Sequence, residues 1–173
     1  MIYTSEYYSP LGDILLASDE VGLTGLWFKG QKYFASTLSE KRACVETPSI
    51  KEAKEWMDVY FSGEEPDFLP PLNPQGSAFR QAVWKILLSI PYGKTTTYGE
   101  VADIMAKKQN ISHMSAQAIG GAVAHNAISI IIPCHRVVGI NGSLTGYAGG
   151  IDKKISLLKC ESADISRLFI PNK

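Results

Sequence analysis

A cysteine and a histidine stand side by side in Ile132-Pro133-Cys134-His135-Arg136-Val137-Val138-Gly139. A free thiol has a pKa of about 8.5, and only its thiolate is a good nucleophile. A neighbouring imidazole can take the proton and a guanidinium can supply a positive field, so this triplet can generate a sulfur nucleophile. The same residues also suit a buried structural cysteine followed by a surface His-Arg pair, because free cysteine is commonly buried. Spacing alone does not choose between the two.

The elements that must position this triplet are legible around it. Ile128-Ser129-Ile130-Ile131-Ile132 is β-branched and apolar, which predicts a buried, extended segment. Pro133 stops that run, so Cys134 is expected at a bend on the edge of the core. Upstream, Phe79, Val83, Trp84, Leu87 and Leu88 form one stripe and predict a helix over 77–90. Thr97-Tyr98-Gly99-Glu100 is a capping box that opens a helix through about Met105. Ser115 can cap a further helix, Ala116 to about Ala124, built almost entirely of small residues. The connection between these two, Ala106 to Met114, is longer than a minimal helix-turn-helix uses. Ile151 to Lys159 reads as a last helix. In the first half, Asp13–Ser18 and Leu23–Phe28 read as strands around a turn, and 49–61 as a helix. Pro66 to Pro74 is proline-rich and predicts an extended linker. The expected organisation is a mixed α/β N-terminal domain, 1–75, and a helical, winged-helix-like C-terminal domain, 76–173, an α/β (α+β) class overall.

Composition narrows the function classes. The chain of 173 residues is 45% hydrophobic, enough to bury a core. No apolar run is long enough for a transmembrane span, and Met1–Glu6 has no signal-peptide pattern. Cys44, Cys134 and Cys160 are odd in number and lack CxxC spacing, which favours a reducing cytoplasm and no disulfide framework. Cys44 and Cys160 read as packing residues. His113, His125 and His135 have no metal-motif spacing, so no metal is expected. The net charge of zero hides a split. Residues 1–75 carry 6 Lys/Arg against 12 Asp/Glu, a net −6, while 76–173 carry 11 against 5, a net +6. A basic half is what a polyanion-binding surface needs. In the Ala116–Ala124 helix, Gly120 and Gly121 each cost on the order of 1 kcal/mol relative to alanine. Either close approach to an external surface or tight helix–helix packing would offset that.

Six blocks carry a resemblance: Phe79-Arg80-Gln81-Ala82-Val83-Trp84, Ile90-Pro91-Tyr92-Gly93-Lys94, Thr97-Tyr98-Gly99-Glu100-Val101-Ala102, Ala118-Ile119-Gly120-Gly121-Ala122, the Pro133-Cys134-His135-Arg136 signature, and Gly146-Tyr147-Ala148-Gly149-Gly150. Their order and spacing resemble the O6-alkylguanine-DNA alkyltransferases over residues 76–161. The resemblance implies transfer of an alkyl group from guanine O6 to Cys134, irreversibly and once per molecule, without a cofactor. It implies a monomer acting on double-stranded DNA from the minor groove with the damaged nucleotide flipped out, and O4-alkylthymine as a possible second substrate. His135 then acts as a base through a water, Glu161 orients His135, and Asn126 braces the bend before Cys134. Tyr98 helps rotate the nucleotide. The guanine pocket is closed by Tyr147, Ala148 and Gly149, with the Val137 and Cys134 carbonyls reading the exocyclic amine. Ser115, Gln117, Ala118, Gly121 and Ala122 face DNA, and Arg136 is either structural or phosphate-facing. Three departures stand out: Gln117 replaces the family's intercalating arginine, Ala148 a frequent serine, and Ala127 a frequent proline.

Three rivals are distinguishable. A lesion sensor of this family lacks the cysteine, which is present here. A transcriptional regulator needs side chains for base readout, which the 116–124 helix scarcely has. A cysteine hydrolase with a Cys-His-Glu set would turn over an acyl substrate repeatedly.

Overall fold

The computed structural model describes residues 1–171, and the chain divides into two compact units. The first comprises Met1–Gln75 together with Ala127–Ser129. Its sheet has the order β3-β2-β1-β4, with β1 Ile2–Ser9, β2 Gly12–Ser18, β3 Leu23–Phe28 and β4 Arg42–Ala43. The β1–β2 and β2–β3 pairs are antiparallel, and β4 runs parallel to β1. Sequence patterning finds β2 and β3 but not β1, whose tyrosines and hydroxyl residues do not alternate as apolar and polar. Helix α1, Pro48–Phe61, buries Ile50, Ala53, Trp56, Met57 and Tyr60. Thr47 caps it, accepting from the Ile50 amide, and Pro48 occupies the first turn, where no amide is needed. All six β3 residues are buried. The proline-rich segment is tied to β3: the Leu23 amide donates to the Pro71 carbonyl and the Asn73 amide to the Leu23 carbonyl, both at 2.8 Å. Gly22 permits that approach, since a Cβ there would lie 2.8 Å from the Pro71 carbonyl.

The second unit, Gly76–Asn126 and Ile130–Lys173, is mainly helical. Helix α2, Ala78–Leu87, is capped by Ser77, and α3, Tyr98–Lys108, carries the full Thr97/Glu100 capping box. Helix α4, Ala116–Ala124, is capped by Ser115, and α5 is Ile151–Cys160. Two short parallel strands, β5 Thr96–Thr97 and β6 Val137–Val138, join the start of α3 to the segment after the Cys-His pair. Trp84 on α2 is buried and donates its indole N–H to the Ala122 carbonyl on α4 at 2.8 Å, fastening the helix pair to the core.

One expectation is corrected. Residues 128–132 are buried, but they are not an extended strand. Ile128 makes a single bridge to Leu26, flanked by hydrogen bonds from the Leu26 amide to Ala127 and from the Ser129 amide to Leu26. The chain then turns at Ile130, whose φ is 68°, a left-handed conformation rare for a β-branched residue. A short apolar run encodes burial; it does not by itself encode extension.

Candidate active site

Asn126 and Pro133 set the position of Cys134. Pro133 has φ −82° and ψ 65°, an inverse γ-turn, closed by the Cys134 amide donating to the Ile132 carbonyl at 2.8 Å. The Asn126 side-chain amide donates to the same carbonyl at 2.8 Å and also hydrogen-bonds the Cys134 thiol. Cys134 is 5% exposed and opens a single 3₁₀ turn, Cys134–Arg136. Burial pushes its thiol up, opposed by Asn126 and by the positive charge of Lys154.

His135 has no exposed surface. Its Nε2 lies 2.5 Å from Glu161 Oε2, at the C-terminal cap of α5. Burial of Glu161 alone would raise its carboxyl, but hydrogen bonds and charge from His135 and Arg136 outweigh that and hold it down to about 2. An ionised Glu161 accepts only, so Nε2 carries the imidazole proton and Nδ1 presents a lone pair. Among the described residues Nδ1 has no hydrogen-bond partner. Burial lowers the imidazole against the pull of Glu161, with Arg136 and Lys154 reinforcing the lowering. The resting histidine is therefore neutral, not the imidazolium that a carboxylate neighbour alone would favour.

Of the two roles open to Arg136, structural or phosphate-facing, its contacts are those of the structural one, against a place among the DNA-facing residues. It is buried, its Nε donates to Glu161 Oε1 at 2.8 Å, its guanidinium donates to the Ile90 carbonyl at 2.7 Å, and it sits over the Tyr92 ring. A guanidinium so engaged is withdrawn from any phosphate. Glu161 Oε1 also accepts from the Gly93 amide at 3.1 Å. Gly93 has φ 75°, and a Cβ there would lie 3.0 Å from the Glu161 carbonyl.

Sequence reasoning missed Lys154. It is fully buried and donates to the Val137 carbonyl at 2.6 Å and the Gly146 carbonyl at 3.2 Å. Burial brings its ammonium down to about 8, with Cys134 opposing. It thereby links the segment after Cys134 to the loop that precedes α5. The signal was available, since Lys154 occupies the same face of α5 as Ile151, Leu157 and Leu158 at helical spacing. Val137 itself is buried, and its carbonyl is already the partner of Lys154.

Tyr98, at the start of α3, donates its hydroxyl to the Thr145 carbonyl at 3.2 Å. Burial, with the nearby Cys134, raises that phenol to about 12. Tyr147, Ala148 and Gly149 follow on the same loop, each half-buried, and Gly150 at φ 97° turns the chain into α5. Ser115, Gln117, Ala118 and Gly121 lie on the exposed side of α4. Ala122 does not: it is buried against α2, which corrects its assignment to the outer face. A Cβ at Gly120 or Gly121 would meet nothing within 4 Å, so neither glycine serves packing inside the protein.

A family model described as the 6-O-methylguanine DNA methyltransferase ribonuclease-like domain matches residues 2–74, and the DNA binding domain of the same description matches 78–163. A methylated-DNA–protein-cysteine methyltransferase of Methanosarcina acetivorans is 44% identical over 165 residues, spanning 94% of this chain and 99% of the relative. Its counterpart from Mycobacterium leprae is 38% identical, spanning 95% of each. The crystal structure of Mycobacterium tuberculosis OGT in complex with DNA is similar at a TM-score of 0.78 and 38% identity, covering 96% of this chain and 94% of that one.

Proposed function

The chain belongs to the methylated-DNA–protein-cysteine methyltransferase family, and from that premise we propose how its own residues carry out the reaction. It is a DNA-repair alkyltransferase whose partner is DNA bearing alkylated bases. Cys134 attacks the alkyl carbon on guanine O6. A sulfur–carbon bond forms, the carbon–O6 bond breaks, and its electron pair stays on the purine, which finally receives the proton that the thiol gives up by way of His135. The thiol proton passes to His135 Nδ1 through one water. Glu161 fixes the tautomer that leaves Nδ1 open, and Asn126 holds the thiol at the γ-turn. Tyr147 donates to the leaving purine, and the Ala148 and Gly149 backbone closes over it. Tyr98 turns the nucleotide out of the stack, because a base within duplex cannot reach the sulfur. Each molecule reacts once, as the thioether has no route back.

The observation that carries the DNA-facing part is the open space at Gly120 and Gly121. Two helix-weakening residues that no neighbour requires fit an external surface that does require them. A minor groove, about 6 Å wide, is such a surface, with Gln117 inserted into the stack. We read 1–75 and 76–173 as separate domains and the molecule as a cytoplasmic monomer, since a reducing compartment keeps Cys134 as a thiol. No helix among the described residues is long and apolar enough to cross a membrane.

The test is intact mass after mixing with duplex carrying O6-methylguanine. One methyl should replace one hydrogen, mapped to Cys134, and Cys134→Ser should bind DNA without transfer. Modification at Cys44 or Cys160 instead, or repeated turnover, contradicts the reading.

A further inference from the structure

Helix α4 carries no charged side chain: Ala116–Ala124 is Ala-Gln-Ala-Ile-Gly-Gly-Ala-Val-Ala. Nonspecific affinity for DNA comes almost wholly from cations that displace counterions at phosphates. A helix without charge must be held on the duplex by residues that flank it. Two of the eleven cations in 76–173 are unavailable, since Arg136 and Lys154 are buried and bonded within the protein.

The connection into α4 has what the helix lacks. Helix α3 ends in Lys107 and Lys108, both exposed, and exposure continues without a break through His113. Among the described residues neither lysine makes an ion pair. From Ile104 to Ile151 the sequence contains no Asp or Glu, so no carboxylate of that stretch competes with phosphate for these lysines. The geometry at the helix end is built. Asn110 takes φ 54°, its amide donates to the Lys107 carbonyl at 3.2 Å, and the Ile111 amide donates to the Ala106 carbonyl at 3.0 Å. That is a Schellman turn with Asn in the left-handed position, and it fixes where the two lysines stand. The chain then runs 112–114 to Ser115, the N-cap of α4. A minimal helix-turn-helix joins its helices with three or four residues. Here the longer path places an exposed basic turn directly before the uncharged helix.

We propose that the α3–α4 connection is the phosphate anchor of this protein: Lys107 and Lys108 engage backbone phosphates beside the groove that α4 occupies. The inference rests on the reading of α4 as the groove helix. Lysines in a last helical turn also complement the helix dipole, a role that affects melting but not counterion release.

The experiment is duplex affinity against salt for wild type and Lys107→Gln/Lys108→Gln, using undamaged DNA between 50 and 200 mM salt, about the range over which phosphate binding dominates. The slope of log K on log salt should shrink by about 2, roughly one for each phosphate that is no longer neutralised. Reaction with free O6-benzylguanine should be unchanged, because no phosphate is involved. The pair Lys32→Gln/Lys41→Gln in the first unit should leave the slope intact. An unchanged slope in the Lys107/Lys108 variant overturns the proposal. If Gln117→Glu still weakens binding in that assay, the groove-helix reading survives that failure; if it does not, both fall.

Discussion

Burial pushes the Cys134 thiol up and the His135 imidazole down, so both rest uncharged at neutral pH. The nucleophile is therefore made when substrate arrives, by proton transfer to Nδ1, and the free enzyme holds no standing thiolate. The same shifts govern stability. His135 is lowered from 6.5, and Glu161 is lowered from 4.5 to about 2. Both bind fewer protons folded than unfolded, so their contribution is present above those ordinary values and is lost as pH falls through the folded ones. Urea denaturation should show stability declining as pH drops below 6.5 for His135, and further between 4.5 and about 2 for Glu161. Stability that rises on acidification would contradict the assignment. Glu161→Gln leaves Arg136 buried without its counter-charge and should cost about 3–5 kcal/mol. Lys154→Met keeps chain length but removes the donor to two backbone carbonyls, those of Val137 and Gly146, and a buried acceptor left unpaired costs about 1–3 kcal/mol. Reaction with free O6-benzylguanine should slow by about tenfold, which corresponds to about 1.4 kcal/mol. An unchanged rate would mean that the backbone holds those carbonyls unaided.

At the scale of the element, α4 trades helix stability for a smooth outer face. Gly120→Ala and Gly121→Ala meet open space, so each should stabilise the fold by up to about 1 kcal/mol, read by thermal melting. Gly121→Ala, on the exposed side, should weaken duplex binding while leaving the free-base reaction alone. A variant that binds DNA as well as wild type would remove the reason given for the glycine. Gln117 stands on the same side but lacks the charge and planar guanidinium that help an inserted side chain stack. Gln117→Arg should speed duplex repair with little change on free O6-benzylguanine. Equal changes on both substrates would place its effect in the pocket or the fold.

At the scale of the molecule, the chain that leads to Cys134 passes through the first unit. Ala127–Ser129 belong to the first unit through Leu26, and Ile128 is fully buried. Removing residues 1–75 takes away Leu26 and exposes Ile128 a few residues before the nucleophile. The shortened chain should melt lower and transfer more slowly even to the free base, which needs no DNA contact. A fragment that matches the full chain in both would show that the Asn126–Ile132 hydrogen bond alone holds the turn.

Sequence by itself determined what is local or strictly periodic. Thr97 and Ser115 announce helix starts because a capping hydroxyl sits within three residues of the amide it satisfies. The stripes of α1 and α2 follow from a 3.6-residue period, and the Cys134–His135 adjacency marks a candidate nucleophile that the six ordered blocks then single out. Tertiary structure alone decided what depends on partners distant along the chain. That the chain turns at Ile130 and does not extend is a property of the folded backbone, which Asn126 braces at the Ile132 carbonyl. Whether Arg136 reaches out or folds inward is set by Glu161 and Ile90, and the place of Lys154 is set by the Val137 and Gly146 carbonyls. Protonation states belong to the same class, since desolvation is a property of the packed interior and no sequence window contains it.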